Sequence, residues 1–222
     1  MNISAENWEK ICSDTVQRMR AFIKPYMCPI SLVISDDEGK QHGTGAYLEF
    51  EKDKFIITNE HVAKYCLSHK LAHTFYDDET YIKIESQPQM EKLPIDVSVN
   101  KIEQKTWGDF GKKAKAITLD KFDKKHSPVD NELLFFTGFS GERSKFVFNN
   151  LFNRGTPYLT QKCPFPDNVD EADANYHFSL SYNPDLAASV DGTSYLPMPP
   201  GFSGSLVWDT KRWVCMQSEK DW

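Results

Sequence analysis

Three residues, far apart along the chain, carry the side chains that acyl transfer needs. The run MPPGFSGSLVWD, residues 198–209, sets Ser203 between Phe202 and Gly204 at the mouth of an apolar stretch. A serine hydroxyl is a weak nucleophile, so it needs a neighbouring base and a fixed approach. Flanking glycines permit tight backbone angles and leave room for a substrate carbonyl. The main-chain N–H groups of Gly201 and Ser203 could then converge on an oxygen that becomes negative. A candidate base is His61, in TNEHV at 58–62, where a strand gives way to a short helical turn. A histidine base needs a carboxylate to fix its tautomer and stabilise the imidazolium. Asp96, opening the alternating run PIDVSVNKI at 94–102, is the candidate. Taken singly, each has an ordinary explanation: a turn before a strand, a surface histidine at a strand end, an aspartate facing water.

Together they form a pattern. GTG at 43–45, a strand, TNEHV, an Asp-Val-Ser-Val strand and GFSGS before an apolar strand resemble the trypsin-like (chymotrypsin-fold) serine peptidases. The resemblance runs from about residue 28 to the C-terminus and is nearest to bacterial, signal-less members. It extends to LLFFTGFSGE at 133–142, which is similar to an early strand of the family's second barrel. It implies an all-β fold of two perpendicular six-stranded barrels with the active site between them. The chain order His, Asp, Ser is also the family's order. By the same resemblance, His61 would be general base and then general acid, Asp96 would orient it, and Ser203 would attack. Gly201 and Ser203 would form the oxyanion hole. The reaction would be peptide hydrolysis through an acyl-enzyme, with no cofactor and no metal.

The chain departs from that pattern in three places. Phe202 stands where digestive members carry an aspartate that pairs with a newly cut N-terminus. No activation by N-terminal cleavage is therefore expected, and the loop must be held by packing of Phe202 and by the stiff Pro199-Pro200 pair. Pro197 occupies the position of trypsin's acidic specificity residue, which argues against cleavage after Lys or Arg. His177, in NYHFSLSY, is a second substrate-binding candidate beside Pro197, against the plainer reading of a strand histidine. Finally, the chain ends at Trp222, soon after Ser203, so the second barrel is expected to be incomplete, with 214–217 supplying one strand.

The elements that must position these residues are legible in outline. Steps of three and four between Trp8, Ile11, Cys12, Val16, Met19 and Phe22 predict an amphipathic helix over 5–23. Its cap falls near Asn2 or Ser4, and Pro25 stops it. Beyond it lie roughly a dozen short runs rich in β-branched and aromatic residues, separated by polar turns, the signature of an all-β assembly. In TYIKIES, Ile82 and Ile84 share one face and Tyr81, Lys83 and Glu85 the other. The chain divides into an N-terminal helix over 1–24, a first barrel over 25–112 with His61 and Asp96, and a connector with the second barrel over 113–222 with Ser203. A short strand is expected at 116–119 within the connector. The helix is read as packing on a barrel in preference to docking a partner.

Composition narrows the function. The formal charge is −6, which disfavours nucleic acid as a partner, because such binding depends on a basic surface. No apolar run reaches the length of a membrane helix, so no membrane partner is expected. The five cysteines are widely spaced with no CxxC, which fits reduced thiols in a cytoplasmic protein. Cys66, His69 and His73 could be read as a metal site, but His73 opens a β-like run and a fourth ligand has no candidate. The partners expected are a protein or peptide substrate and a regulatory protein. Two functions stay open: a serine endopeptidase, and a protease-fold interaction module without activity.

Overall fold

A computed structural model describes residues 3–222 except 36–37, 127–128, 148–149, 168, 186, 188–194 and 219–221. Helix α1 spans Ala5–Ile23, and the Ser4 side chain caps it by accepting the Asn7 N–H. Asn2, the other cap candidate, lies outside the described residues. Pro25 sits in a tight turn, Lys24–Tyr26, where its fixed φ is tolerated but a continuing α-helix is not.

The rest is mostly β. Eight strands form one curled sheet: β1 Met27–Ser35, β2 Glu38–Phe50, β3 Asp53–Thr58, β4 Lys70–His73, β5 Ile82–Lys83, β6 Gln89–Glu91, β7 Val97–Ile102 and β8 Ile117–Thr118. Their order is β5-β4-β1-β2-β3-β7-β6, with β8 added parallel to β2. The connector's short strand thus joins the first sheet. Ile82 and Ile84 pack on the interior, as the alternation in TYIKIES requires, although the strand itself is only two residues long. Inside the curl lie Cys28, Ile30, Tyr47, Ile56, Val62, Leu71, Phe75 and Ile102.

A second sheet contains β9 Leu134–Val147, β10 Asn150–Thr160 and a short β13, Trp208–Asp209, in the order β10-β9-β13. Strands β11 Lys162–Cys163 and β12 Ser179–Leu180 form a separate ribbon. Neither sheet is a six-stranded barrel among the described residues. The first has eight strands with free ends at β5 and β6, and the second has three.

Helix α1 belongs to the second core. Val16, Met19 and Ile23 pack with Met27 and Phe135, each apolar side chain so buried contributing about 1.5–3 kcal/mol. Phe22, expected on the buried stripe, is instead 54% exposed, and Ile23 takes its place one residue on. Phe22 lays its ring near the edges of Tyr26 and Trp208 on the rim.

Two elements differ from the sequence-based expectation. The segment expected to close the first barrel contains helix α3, Gln104–Phe110, whose Trp107 and Phe110 pack against the first core. Residues 214–217 are helical, within α4 Arg212–Gln217, and not a strand. The cause is a buried carboxylate: Glu132 accepts the free first-turn N–H groups of Trp213 at 2.9 Å and Val214 at 3.3 Å. Those amides would have no partner in an isolated helix end, so the acid favours the helix over an equally apolar strand.

Candidate active site

His61 enters from the first sheet. Strand β3 ends at Thr58, Asn59 takes an extended conformation, and Glu60–Ala63 forms a single helical turn, α2. Val62 is buried in the first core and pins this turn, which turns the neighbouring His61 outward. Asp96 arrives from the turn that precedes β7. Lys92 O accepts the N–H groups of both Ile95 and Asp96, and Asp96 adopts a left-handed φ of 50°, a conformation that aspartate tolerates better than most residues.

The two side chains meet. Asp96 Oδ2 lies 2.7 Å from His61 Nδ1, and Asp96 Oδ1 accepts the His61 main-chain N–H at 3.1 Å. Asn59 Nδ2 donates to the Asp96 carbonyl at 2.7 Å, which ties the acid's backbone to the histidine's own turn. With Asp96 accepting at Nδ1, the ring carries its proton there and leaves Nε2 as the basic nitrogen. The aspartate side chain is 14% exposed and the histidine 47%, so the acid is shielded behind a ring that opens to solvent. Among the described residues, His61 Nε2 has no hydrogen-bond partner.

Ser203 enters from the second half of the chain, on a turn wedged against β2. Thr44 N–H donates to Ser203 O at 2.8 Å, and Thr44 Oγ1 donates to Gly201 O at 2.8 Å. Gly204 has φ +89°, and any side chain there would collide with Thr44 O and Thr58 Oγ1, so the turn approaches β2 and β3 as closely as only glycine allows. Gly201 has φ +100° and faces Phe139 O across a similar gap. Ser203 is partly exposed. Among the described residues, its hydroxyl makes no hydrogen bond, and none joins it to His61.

The directions of the turn's amides follow from the carbonyls beside them, because C=O and N–H point opposite ways in a trans peptide. Pro200 O accepts the Gly141 N–H at 3.4 Å, so the Gly201 N–H points away from β9. Phe202 O accepts the Ser205 N–H at 2.9 Å, so the Ser203 N–H points away from Ser205. Neither the Gly201 nor the Ser203 N–H has an acceptor among the described residues. The intervening Phe202 N–H is satisfied by Pro199 O at 2.8 Å. Phe202 itself is buried, with its ring edge-on to Phe136 and Tyr182 at centroid distances of 5.9 and 5.8 Å.

The remaining candidates are engaged in contacts of their own. Pro197 is fully buried, and its carbonyl accepts the Tyr182 hydroxyl at 2.6 Å. His177 closes a turn with Asp173, its Nδ1 accepting the Asp173 N–H at 2.9 Å. Of the residues weighed as metal ligands, His73 is buried against the Tyr47 hydroxyl and His69 bonds Ser68. Two residues that sequence reasoning did not assign prove central to the geometry: Asn59, beside His61 in TNEHV, and Thr44, in the middle of GTG. Their positions inside the quoted motifs were the available signal.

No family model matches the chain, and no curated protein does. Among solved structures the chain is similar to two from Sesbania mosaic virus, a viral source where the motifs resembled bacterial proteins. One, from work on aromatic interactions that drive the coupled folding and binding of the intrinsically disordered VPg protein, is 11% identical with a TM-score of 0.46, over 84% of this chain and 75% of that one. The other, the serine protease domain of the viral polyprotein, is 12% identical with a TM-score of 0.42, over 84% of this chain and 77% of that one. At these values the likeness says nothing about chemistry.

Proposed function

We propose that the protein is a serine endopeptidase using Ser203, His61 and Asp96. One observation carries this reading: the Asp96-held imidazole of His61, whose Nε2 has no protein partner. Ser203 Oγ attacks the scissile carbonyl and its proton passes to His61 Nε2. The oxyanion takes the N–H groups of Gly201 and Ser203, each such donor worth about 3 kcal/mol of transition-state stabilisation. The imidazolium, stabilised by Asp96, gives its proton to the leaving amine, and water repeats the sequence to release the acyl group. Protein or peptide is the substrate, and Phe202 makes an N-terminal activation cleavage unnecessary. Five free thiols accord with a reducing, cytoplasmic setting, and a bacterial source accords with the motifs. The net negative charge disfavours a nucleic-acid partner.

A second reading is a protease-fold interaction module without activity. It is favoured by the missing hydrogen bond between Ser203 and His61, although catalytic contacts commonly tighten only when substrate binds. A fluorophosphonate probe separates the two. Covalent labelling of the wild type that disappears in Ser203→Ala supports the enzyme. A folded wild type that takes up no probe leaves the module.

A further inference from the structure

Thr44 touches both sides of the nucleophile. It is 1% exposed, and every polar atom it has is engaged. Its N–H donates to Ser203 O at 2.8 Å and its carbonyl accepts the Thr58 hydroxyl at 2.7 Å. Its hydroxyl donates to Gly201 O at 2.8 Å and accepts the Phe139 N–H at 2.9 Å. The partners fall in three places: the nucleophile turn, strand β9 of the second sheet, and the end of β3 that leads directly into Asn59 and His61.

This matters because the two halves of the candidate site come from different sheets. His61 and Asp96 are fixed within the first sheet. Ser203 is fixed to β9 by Phe202 packing and by Pro200. Whatever sets the distance from Ser203 to His61 must therefore cross the seam, and Thr44 crosses it with side chain and backbone together. Serine would supply the same hydroxyl. Valine and alanine would leave Gly201 O and Phe139 N–H, both at the seam, without their partner.

We propose that Thr44 is a positioning residue whose hydroxyl holds the Ser203 turn in register with His61 across the seam between the two sheets. The proposal rests on the peptidase reading for its consequence in rate, but the link itself can be measured without catalysis. Misplacement of a reacting group by about 1 Å can cost about 100-fold in rate. Thr44→Val and Thr44→Ala should therefore slow fluorophosphonate labelling of Ser203 by roughly 10- to 100-fold, and Thr44→Ser should stay within about threefold of wild type.

The test measures labelling rate, thermal midpoint and amide hydrogen exchange on the full chain for wild type and the three variants. The expected result is slow labelling in the two hydroxyl-less variants that still fold cooperatively, with faster exchange at Phe139, and rescue of both readouts by serine. Wild-type labelling in folded Thr44→Val overturns the proposal. So does a hydroxyl-less pair that does not fold at all, since the role is then structural. If the wild type takes no probe, the peptidase reading falls, and exchange decides the link: faster exchange at Phe139 in Thr44→Val with serine rescue upholds it, and unchanged exchange overturns it.

Discussion

Both carboxylate oxygens of Asp96 bind one residue, His61. Oδ2 meets the ring Nδ1 at 2.7 Å, and Oδ1 accepts the main-chain N–H at 3.1 Å. The pairing fixes the ring's orientation and its tautomer together. Asp96→Asn removes the charge and offers an amide NH₂ where an acceptor is needed. If the proposed peptidase reading holds, labelling and peptide hydrolysis at neutral pH should fall by about 10⁴-fold, the size of loss seen when a triad acid is neutralised. The overall fold should persist in circular dichroism. A variant that reacts at the wild-type rate would remove Asp96 from the chemistry.

Phe202 packs the Ser203 turn in place, edge-on to Phe136 and Tyr182. Phe202→Ala should lower stability by about 3–5 kcal/mol, the typical cost of emptying a buried phenylalanine site. Phe202→Leu should cost less, because more of the volume remains filled. Urea unfolding of the two variants checks the order. Equal midpoints for wild type and Phe202→Ala would mean that the ring contributes nothing to the turn.

His73 predicts how stability follows pH. Burial depresses its pKa from 6.5 to about 3. The Tyr47 hydroxyl donates to Thr74 O and sits 3.1 Å from the neutral ring's Nδ1. Between those two pKa values the unfolded chain binds the extra proton, so stability rises with pH. The contribution is complete above pH 6.5 and is lost progressively as pH falls towards 3. Between about pH 7.5 and about pH 5 it amounts to about 2 kcal/mol. Burial lowers His42 and His126 in the same direction, so the comparison is with His73→Phe, which should lose about that much of the pH dependence in urea midpoints. An unchanged pH profile would show that His73 is charged in the folded protein or neutral in both states.

Glu132 is 2% exposed, and it organises the C-terminal end of the chain. Its carboxylate accepts N–H groups from Leu133, Trp213 and Val214, and the Thr210 hydroxyl. Glu132→Gln turns one end of the side chain into a donor facing donors. It should cost about 1–3 kcal/mol and raise amide exchange in α4 before the rest of the molecule. Uniform exchange across the chain would mean that α4 is held by something else.

Much of the framework was readable from residue types. The 3.6-residue period drew α1 and its Ser4 cap, because a helix's apolar stripe and its unpaired first N–H groups both depend on local spacing. The β-branched and aromatic runs marked the first-sheet strands β1–β4 and β7 for the same local reason. Phe22 and Ile23 show the limit. Neighbouring apolar residues straddle the edge of a helical face, and only the surface it meets chooses between them. The 214–217 segment shows it more plainly, since WVCMQ suits a strand or a helix, and Glu132, far away in sequence, decides for the helix.

The sequence by itself determined which side chains are available for acyl transfer and in what order: His61, Asp96 and Ser203, with glycines on both sides of the serine turn. Chemistry of that kind resides in residue identity. Tertiary structure alone decided which of them meet. It joined His61 to Asp96 through Asn59 and a left-handed turn, left the Gly201 and Ser203 amides without acceptors among the described residues, and set Thr44 in hydrogen bonds to both the Ser203 turn and β9. Those outcomes depend on contacts between segments distant along the chain, and no local pattern of residues encodes a distance across a seam.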